Sequence, residues 1–142
     1  MSELKAFFAE NVEKVELTEY VVSERFKDAE GKPIAWKLKA LSAGEEEAIR
    51  ADATRREQVP GKPGQYRERM DTNAYVRKIA VRTVVFPNLN DAELQASYDV
   101  MDAESLLQKM LLSGEMIHLT EKVTEVNKLA ETFEDKVEEA KN

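Results

Sequence analysis

The stretch Val59-Pro60-Gly61-Lys62-Pro63-Gly64-Gln65 restricts the fold of this chain more than any other. Its two prolines donate no backbone amide and its two glycines lose the most backbone entropy on ordering, so regular structure cannot pass through it. The chain must turn here, and a loop is expected over residues 57–70. At 142 residues there is material for one hydrophobic core but not for two. The loop therefore interrupts a single domain rather than joining two.

Upstream, Leu4, Phe7 and Phe8 repeat at helical spacing and predict a short amphipathic helix ending near Asn11, its aromatics docked on the core. Glu19–Phe26 and Ile34–Leu41 are rich in β-branched and aromatic residues and flank Lys27-Asp28-Ala29-Glu30-Gly31-Lys32-Pro33, which reads as a β-hairpin. In the second run Ile34, Trp36, Leu38 and Ala40 alternate with Ala35, Lys37, Lys39 and Leu41, so one face is buried. Two strands alone are marginal, and helices are needed to cover them.

Ser42 followed by Glu45 is a capping-box pattern and predicts a helix from Ala43 to about Arg56. Beyond the loop, Asp71 or Thr72 opens a helix through Tyr75, Ile79, Ala80 and Val84 toward Phe86, stopped by Pro87. Asn90 with Glu93 repeats the capping pattern before a short helix, Asp91–Ser97. Asp102 opens another through Leu106, Leu107, Met110 and Leu111, interrupted at Ser113-Gly114. From Glu115 to about Lys141 there is no proline or glycine, and Leu119, Val123, Val126, Ala130, Phe133, Val137 and Ala140 recur in steps of four and three. That is a heptad seam. It has two readings: packing on the chain's own core, favoured before about Ala130, and pairing with a helix of another chain; beyond about Ala130 a partner-facing or unordered tail is expected. The expected architecture is α+β: a mainly α-helical single domain with an N-terminal helix and β-hairpin (1–41), a helical core (42–112) and a long C-terminal helix (113–142).

The absence of cysteine excludes disulfides, thiolate nucleophiles and cysteine-ligated metal centres. Residues Met1 to Glu10 lack the basic start and apolar centre of a signal peptide. No run approaches the roughly 18 apolar residues of a membrane span. A cytoplasmic protein without membrane contact is expected.

A net charge of −7 opposes general affinity for nucleic acid. The charge is uneven, however: from Arg50 to Arg82 the basic residues Arg50, Arg55, Arg56, Lys62, Arg67, Arg69, Arg77, Lys78 and Arg82 outnumber Asp52, Glu57, Glu68 and Asp71. Either these are solvated helix faces with internal ion pairs, or Arg55, Arg56, Arg67 and Arg69 form a surface that steers a partner.

Catalytic equipment is missing. His118 is the only histidine, so it cannot join a second one at zinc, and no Gly-x-Ser-x-Gly elbow surrounds a serine. The clustered carboxylates Asp91, Glu93, Asp99, Asp102 and Glu104 are better explained in part by helix starts, where Asp91 and Asp102 meet the positive end of the dipole. Gly61-Lys62-Pro63-Gly64 matches the Gly-x-x-Gly of an RNA-clamping loop, but its flanking prolines do not fit the two helices such a loop joins. No catalytic, metal or cofactor-binding residue is expected, and no enzyme activity.

Several segments in order carry a resemblance: Met1-Ser2-Glu3-Leu4 with Ala6-Phe7-Phe8-Ala9, Asn11-Val12-Glu13, Gly31-Lys32-Pro33-Ile34 before Trp36, Pro60-Gly61-Lys62, and Phe86-Pro87-Asn88-Leu89-Asn90-Asp91-Ala92-Glu93-Leu94-Gln95 with Ser97-Tyr98. Together they resemble the XkdN-like phage tail assembly chaperones, collinearly from Met1 to about Glu115 and fading beyond about Val123. The resemblance implies a non-catalytic protein of the bacterial host's cytoplasm that binds the tape measure protein, keeps it soluble, helps tail tube subunits gather around it, and is not retained in the mature particle. An incorporated structural tail component is the alternative. The family has no catalytic motif to carry over. The candidate partner-binding residues therefore come from periodicity and charge: Leu119, Val123, Val126, Ala130, Phe133 and Val137 on the heptad seam, and Arg55, Arg56, Arg67 and Arg69 around the loop.

Overall fold

Trp36 and Leu38 alternate inward along one short strand, and the remaining elements are arranged around them. The computed structural model describes residues 2–129. In chain order the elements are β1 (Thr18–Tyr20), β2 (Trp36–Leu38), α1 (Ala43–Asp52), β3 (Thr54–Gln58), β4 (Tyr66–Met70), α2 (Thr72–Thr83), β5 (Val84–Phe86), α3 (Ala92–Ser97), α4 (Ala103–Met110) and α5 (Ser113–Val126). The architecture is α+β, with the helices gathered against one face of a small antiparallel sheet.

The expected hairpin forms, with shorter strands than its composition suggests. β1 pairs antiparallel with β2 in the register Thr18↔Leu38, Glu19↔Lys37 and Tyr20↔Trp36. The connection between them closes at a bridge between Lys27 and Pro33. Gly31 adopts φ +84°, a conformation that suits a residue without Cβ, and Asp28 Oδ1 accepts from the amides of Glu30 and Lys32. Unforeseen in the sequence was a third strand: Val84–Phe86 ends the helical pattern early and pairs antiparallel with β2, giving the order β1-β2-β5. Its physical reason is local, since two β-branched valines precede Phe86, which is itself held extended by the following proline.

Capping explains the helix starts. Ser42 Oγ accepts from the Glu45 amide at 3.2 Å while Glu45 Oε1 accepts from the Ser42 amide at 3.1 Å. Asp71, Asp91 and Asp102 accept from the amides of Ala74, Leu94 and Ser105. Asp91 rather than Asn90 thus caps α3.

The core joins Trp36 and Leu38 to Ile49 of α1, Ile79 and Ala80 of α2, Val84 of β5, Leu89 of the following loop, Leu106, Leu107 and Met110 of α4, and Leu119 and Val123 of α5. α2 lies at the centre, touching α1, α4 and α5. Burying each of these large side chains contributes roughly 1.5–3 kcal/mol.

Four expectations are corrected. Helix α1 stops at Asp52 instead of continuing to Arg56, and the expected loop over 57–70 is a β-hairpin, β3–β4, around a turn at Val59–Gln65. The N-terminal segment forms only a short 3-10 turn at Leu4–Phe7, and its aromatics do not dock: Phe7 is 81% exposed. The heptad helix ends at Val126. Asn127 caps it, Lys128 takes φ +56°, the Lys128 amide donates to Glu125 O and the Leu129 amide to Thr124 O, a Schellman closure with lysine where glycine is usual. Ala130, Phe133 and Val137 lie outside the described residues.

Candidate partner-binding surfaces

Arg55, Arg56, Arg67 and Arg69, proposed from charge alone, are brought together on one hairpin. β3 and β4 pair as Thr54↔Met70, Arg55↔Arg69, Arg56↔Glu68, Glu57↔Arg67 and Gln58↔Tyr66. Residues opposite one another share a face, so Arg55, Glu57, Arg67 and Arg69 line one side and Arg56, Gln58, Tyr66 and Glu68 the other. On the first side Glu57 lies 2.8 Å from Arg67 and 3.7 Å from Arg69. Arg55 stands opposite Arg69, and among the described residues it has no acidic partner. On the second side the Arg56 guanidinium stacks over the Tyr66 ring at 4.3 Å. Apart from half-buried Thr54, Glu57, Val59 and Met70, the hairpin is exposed along its length. It stands on the body through its root, where the Asp71 amide donates to Ala53 O at 2.8 Å and Thr54 Oγ1 donates to Arg50 O at 2.7 Å.

The first half of the heptad seam has a different fate. Leu119 is fully buried, Val123 nearly so, and Val126 packs against the same core. Leu119 and Val123 fill the chain's own interior, and Val126 is half-buried at its edge. The exposed flank of α5 carries Ile117 instead, beside Leu112 and a shallow apolar groove lined by Leu111, Met116 and Thr120.

A third surface escaped the sequence reading. Leu4, Phe7, Phe8, Val12, Val15 and Leu17 are all exposed along the N-terminal segment. Apolar side chains concentrated in one exposed stretch mark an interaction surface more often than chance does. The helical spacing of Leu4, Phe7 and Phe8 is equally compatible with a core face and with an exposed apolar one.

The polar network between elements is structural. Arg25, in the β1–β2 connection, donates to Glu115 and to Met110 O at 2.9 Å. Its guanidinium, the Ser23 side chain and the Leu112 amide hold the Glu115 carboxyl down at about 2. Tyr75 donates to Glu46, whose carboxylate also takes Arg50 at 2.7 Å, and the Tyr75 hydroxyl is pushed up by burial and then by that carboxylate. Lys78 bridges Asp52 at 3.0 Å and Glu104 at 3.3 Å. His118 is exposed and lies 3.6 Å from Glu121. Among the described residues no three His, Cys, Asp or Glu side chains converge as a metal site would require, and no helix is long and apolar enough to cross a membrane.

The chain is 29% identical over 141 residues to the uncharacterized protein YqbN of Bacillus subtilis (strain 168), spanning 99% of this chain and 93% of that one. It is 26% identical over 122 residues to the phage-like element PBSX protein XkdN of the same strain, spanning 85% and 81%. The crystal structure of the protein YqbN superposes with a TM-score of 0.75 at 22% identity, covering 90% of this chain and 98% of that one, so the fold is shared. The profile of the phage XkdN-like tail assembly chaperone proteins matches residues 4–141. The chain belongs to the phage XkdN-like tail assembly chaperone family.

Proposed function

We propose that this chain is a non-catalytic chaperone of the bacterial cytoplasm that binds the tape measure protein, keeps it soluble and assists assembly of the tail tube around it, without remaining in the particle. The observation that carries the reading is family membership over residues 4–141. The surface supports it. A long helical protein exposes apolar stripes before assembly, and a chaperone must cover them reversibly. The N-terminal segment offers Leu4, Phe7, Phe8 and Val12 for this without disturbing the core. Ordering such a segment on binding costs free energy, which keeps affinity moderate and permits release when tube subunits arrive.

Co-expression with a tape measure protein from the same phage or phage-like element is the test. The full chain should co-purify with soluble tape measure protein and be missing from purified particles. The triple variant Phe7→Ser, Phe8→Ser, Val12→Ser should remain folded and lose the interaction. If the tape measure protein stays insoluble and the chain is found in the particle, a structural tail component is the correct account.

A further inference from the structure

We propose that the hairpin face bearing Arg55, Arg67 and Arg69 is a docking surface for this chain's own acidic segment, residues 131–142. This goes beyond chaperone function and does not depend on which protein is chaperoned.

The hairpin from Thr54 to Met70 carries Arg55, Arg56, Lys62, Arg67 and Arg69 against Glu57 and Glu68. One carboxylate, Glu57, serves two of the three arginines on its face, and the third, Arg55, is placed opposite Arg69. Like charges directly across an antiparallel pair repel. An exposed two-stranded hairpin has little packing with which to offset that repulsion, so an anionic ligand on this face would remove an unfavourable term. The adjoining groove is lined by Arg55, Arg69, Thr72 and Asn73 together with Glu57 and Asp71, whose carboxylates are engaged by Arg67 and by the Ala74 amide at the start of α2.

The complementary charge lies in the same chain. Glu131, Glu134, Asp135, Glu138 and Glu139 face only Lys136 and Lys141 in the last segment. The described chain ends at Leu129, which shares a groove with Arg50 and Tyr75. Arg50 in turn is tied through its carbonyl to Thr54, the first residue of the hairpin. Residues 130–142 would span about 43–47 Å fully extended, or about 20 Å as a helix. The five-residue strands of the hairpin span about 17 Å. The extended length is more than twice that of the hairpin strands, which allows the acidic residues to reach the arginines. The tether also makes the encounter intramolecular, which raises the effective concentration without any new contact.

Because the chain has no cysteine, Asn142→Cys gives a unique spin-label site in the 142-residue chain. In isotope-labelled protein the amides of residues 55–57 and 67–69 should lose intensity through proximity to the label. The loss should disappear when Glu131, Glu134, Glu138 and Glu139 are changed to Gln and Asp135 to Asn, and also near 1 M salt, where the screening length is about 3 Å. Core amides should not move, which confirms the fold. No loss at the hairpin, or a loss that survives the neutral tail, overturns the proposal. So does a loss seen only when unlabelled-isotope, spin-labelled chains are mixed with isotope-labelled ones, since the occupant is then a second copy's tail.

Discussion

Arg25 and Glu115 lie 90 residues apart and clasp one another through two bonds, Nη2 to Oε1 at 2.5 Å and Nε to Oε2 at 3.2 Å. The same Glu115 Oε1 accepts from the Leu112 amide at 2.8 Å, at the start of α5. One carboxylate thus caps a helix and ties the β1–β2 connection to the turn between α4 and α5.

Acid stability should report this clasp. The Glu115 carboxyl sits at about 2 in the folded chain, against an ordinary value of 4.5, chiefly because Arg25 donates to it. A depressed carboxyl stabilises the fold above its unfolded value and loses that contribution as pH falls through the folded value. Urea midpoints measured between pH 5 and pH 2 should therefore fall more steeply for the native chain than for Glu115→Gln. Gln can still accept from the Leu112 amide, so at pH 7 the variant should be less stable by about 0.2–1 kcal/mol, through loss of the charged pair with Arg25.

Leu119 and Ile117 are two residues apart on α5 and should behave oppositely. Leu119→Ala removes a fully buried side chain and should cost about 2–5 kcal/mol by chemical denaturation. Ile117→Ala, at 58% exposure, should change stability by less than about 0.5 kcal/mol. Equal, small effects would return Leu119 to a partner-facing seam.

Asn127 joins three elements after the last turn of α5. Its Oδ1 accepts from the Leu41 amide at 2.7 Å, and its Nδ2 donates to Thr83 Oγ1 at 2.9 Å and to Val123 O at 3.0 Å. Asn127→Ala should strand the half-buried Leu41 amide and cost about 1–3 kcal/mol. Faster hydrogen exchange at Leu41 would locate the loss.

Lys128 holds φ +56°, where a side chain bearing Cβ is disfavoured. Lys128→Gly should raise stability by about 0.5–1 kcal/mol, because relief in the folded turn exceeds the added freedom of the unfolded chain. A thermal melt decides the sign.

Much of the helical framework was legible because caps act locally. Ser42, Asp71 and Asp102 each offer a side-chain oxygen to an amide three residues on, and each opens a helix as expected. The alternation around Trp36 and Leu38 likewise identified a strand with one buried face. Failures occurred where local preference was weak or misleading. Arg55, Arg56 and Glu57 are good helix formers, yet they pair with Tyr66–Met70 as a strand because the turn at Val59–Gln65 returns the chain beside them. The four arginines were identified by charge, but only the hairpin puts Arg55 opposite Arg69.

The sequence by itself determined the family, the helix starts and the turn at the Pro-Gly stretch, since each rests on residue type or on neighbours a few positions away. Tertiary structure decided which apolar residues are buried. Leu4, Phe7 and Phe8 share a helical spacing with core residues, and Leu119, Val123 and Val126 share one with a coiled-coil seam. Periodicity shows that a face is apolar but not what covers it. The packing of α5 against α2 encloses the seam, and among the described residues no element folds back over the N-terminal aromatics, which are exposed. That choice depends on contacts far apart in the chain, and these exist only once it has folded.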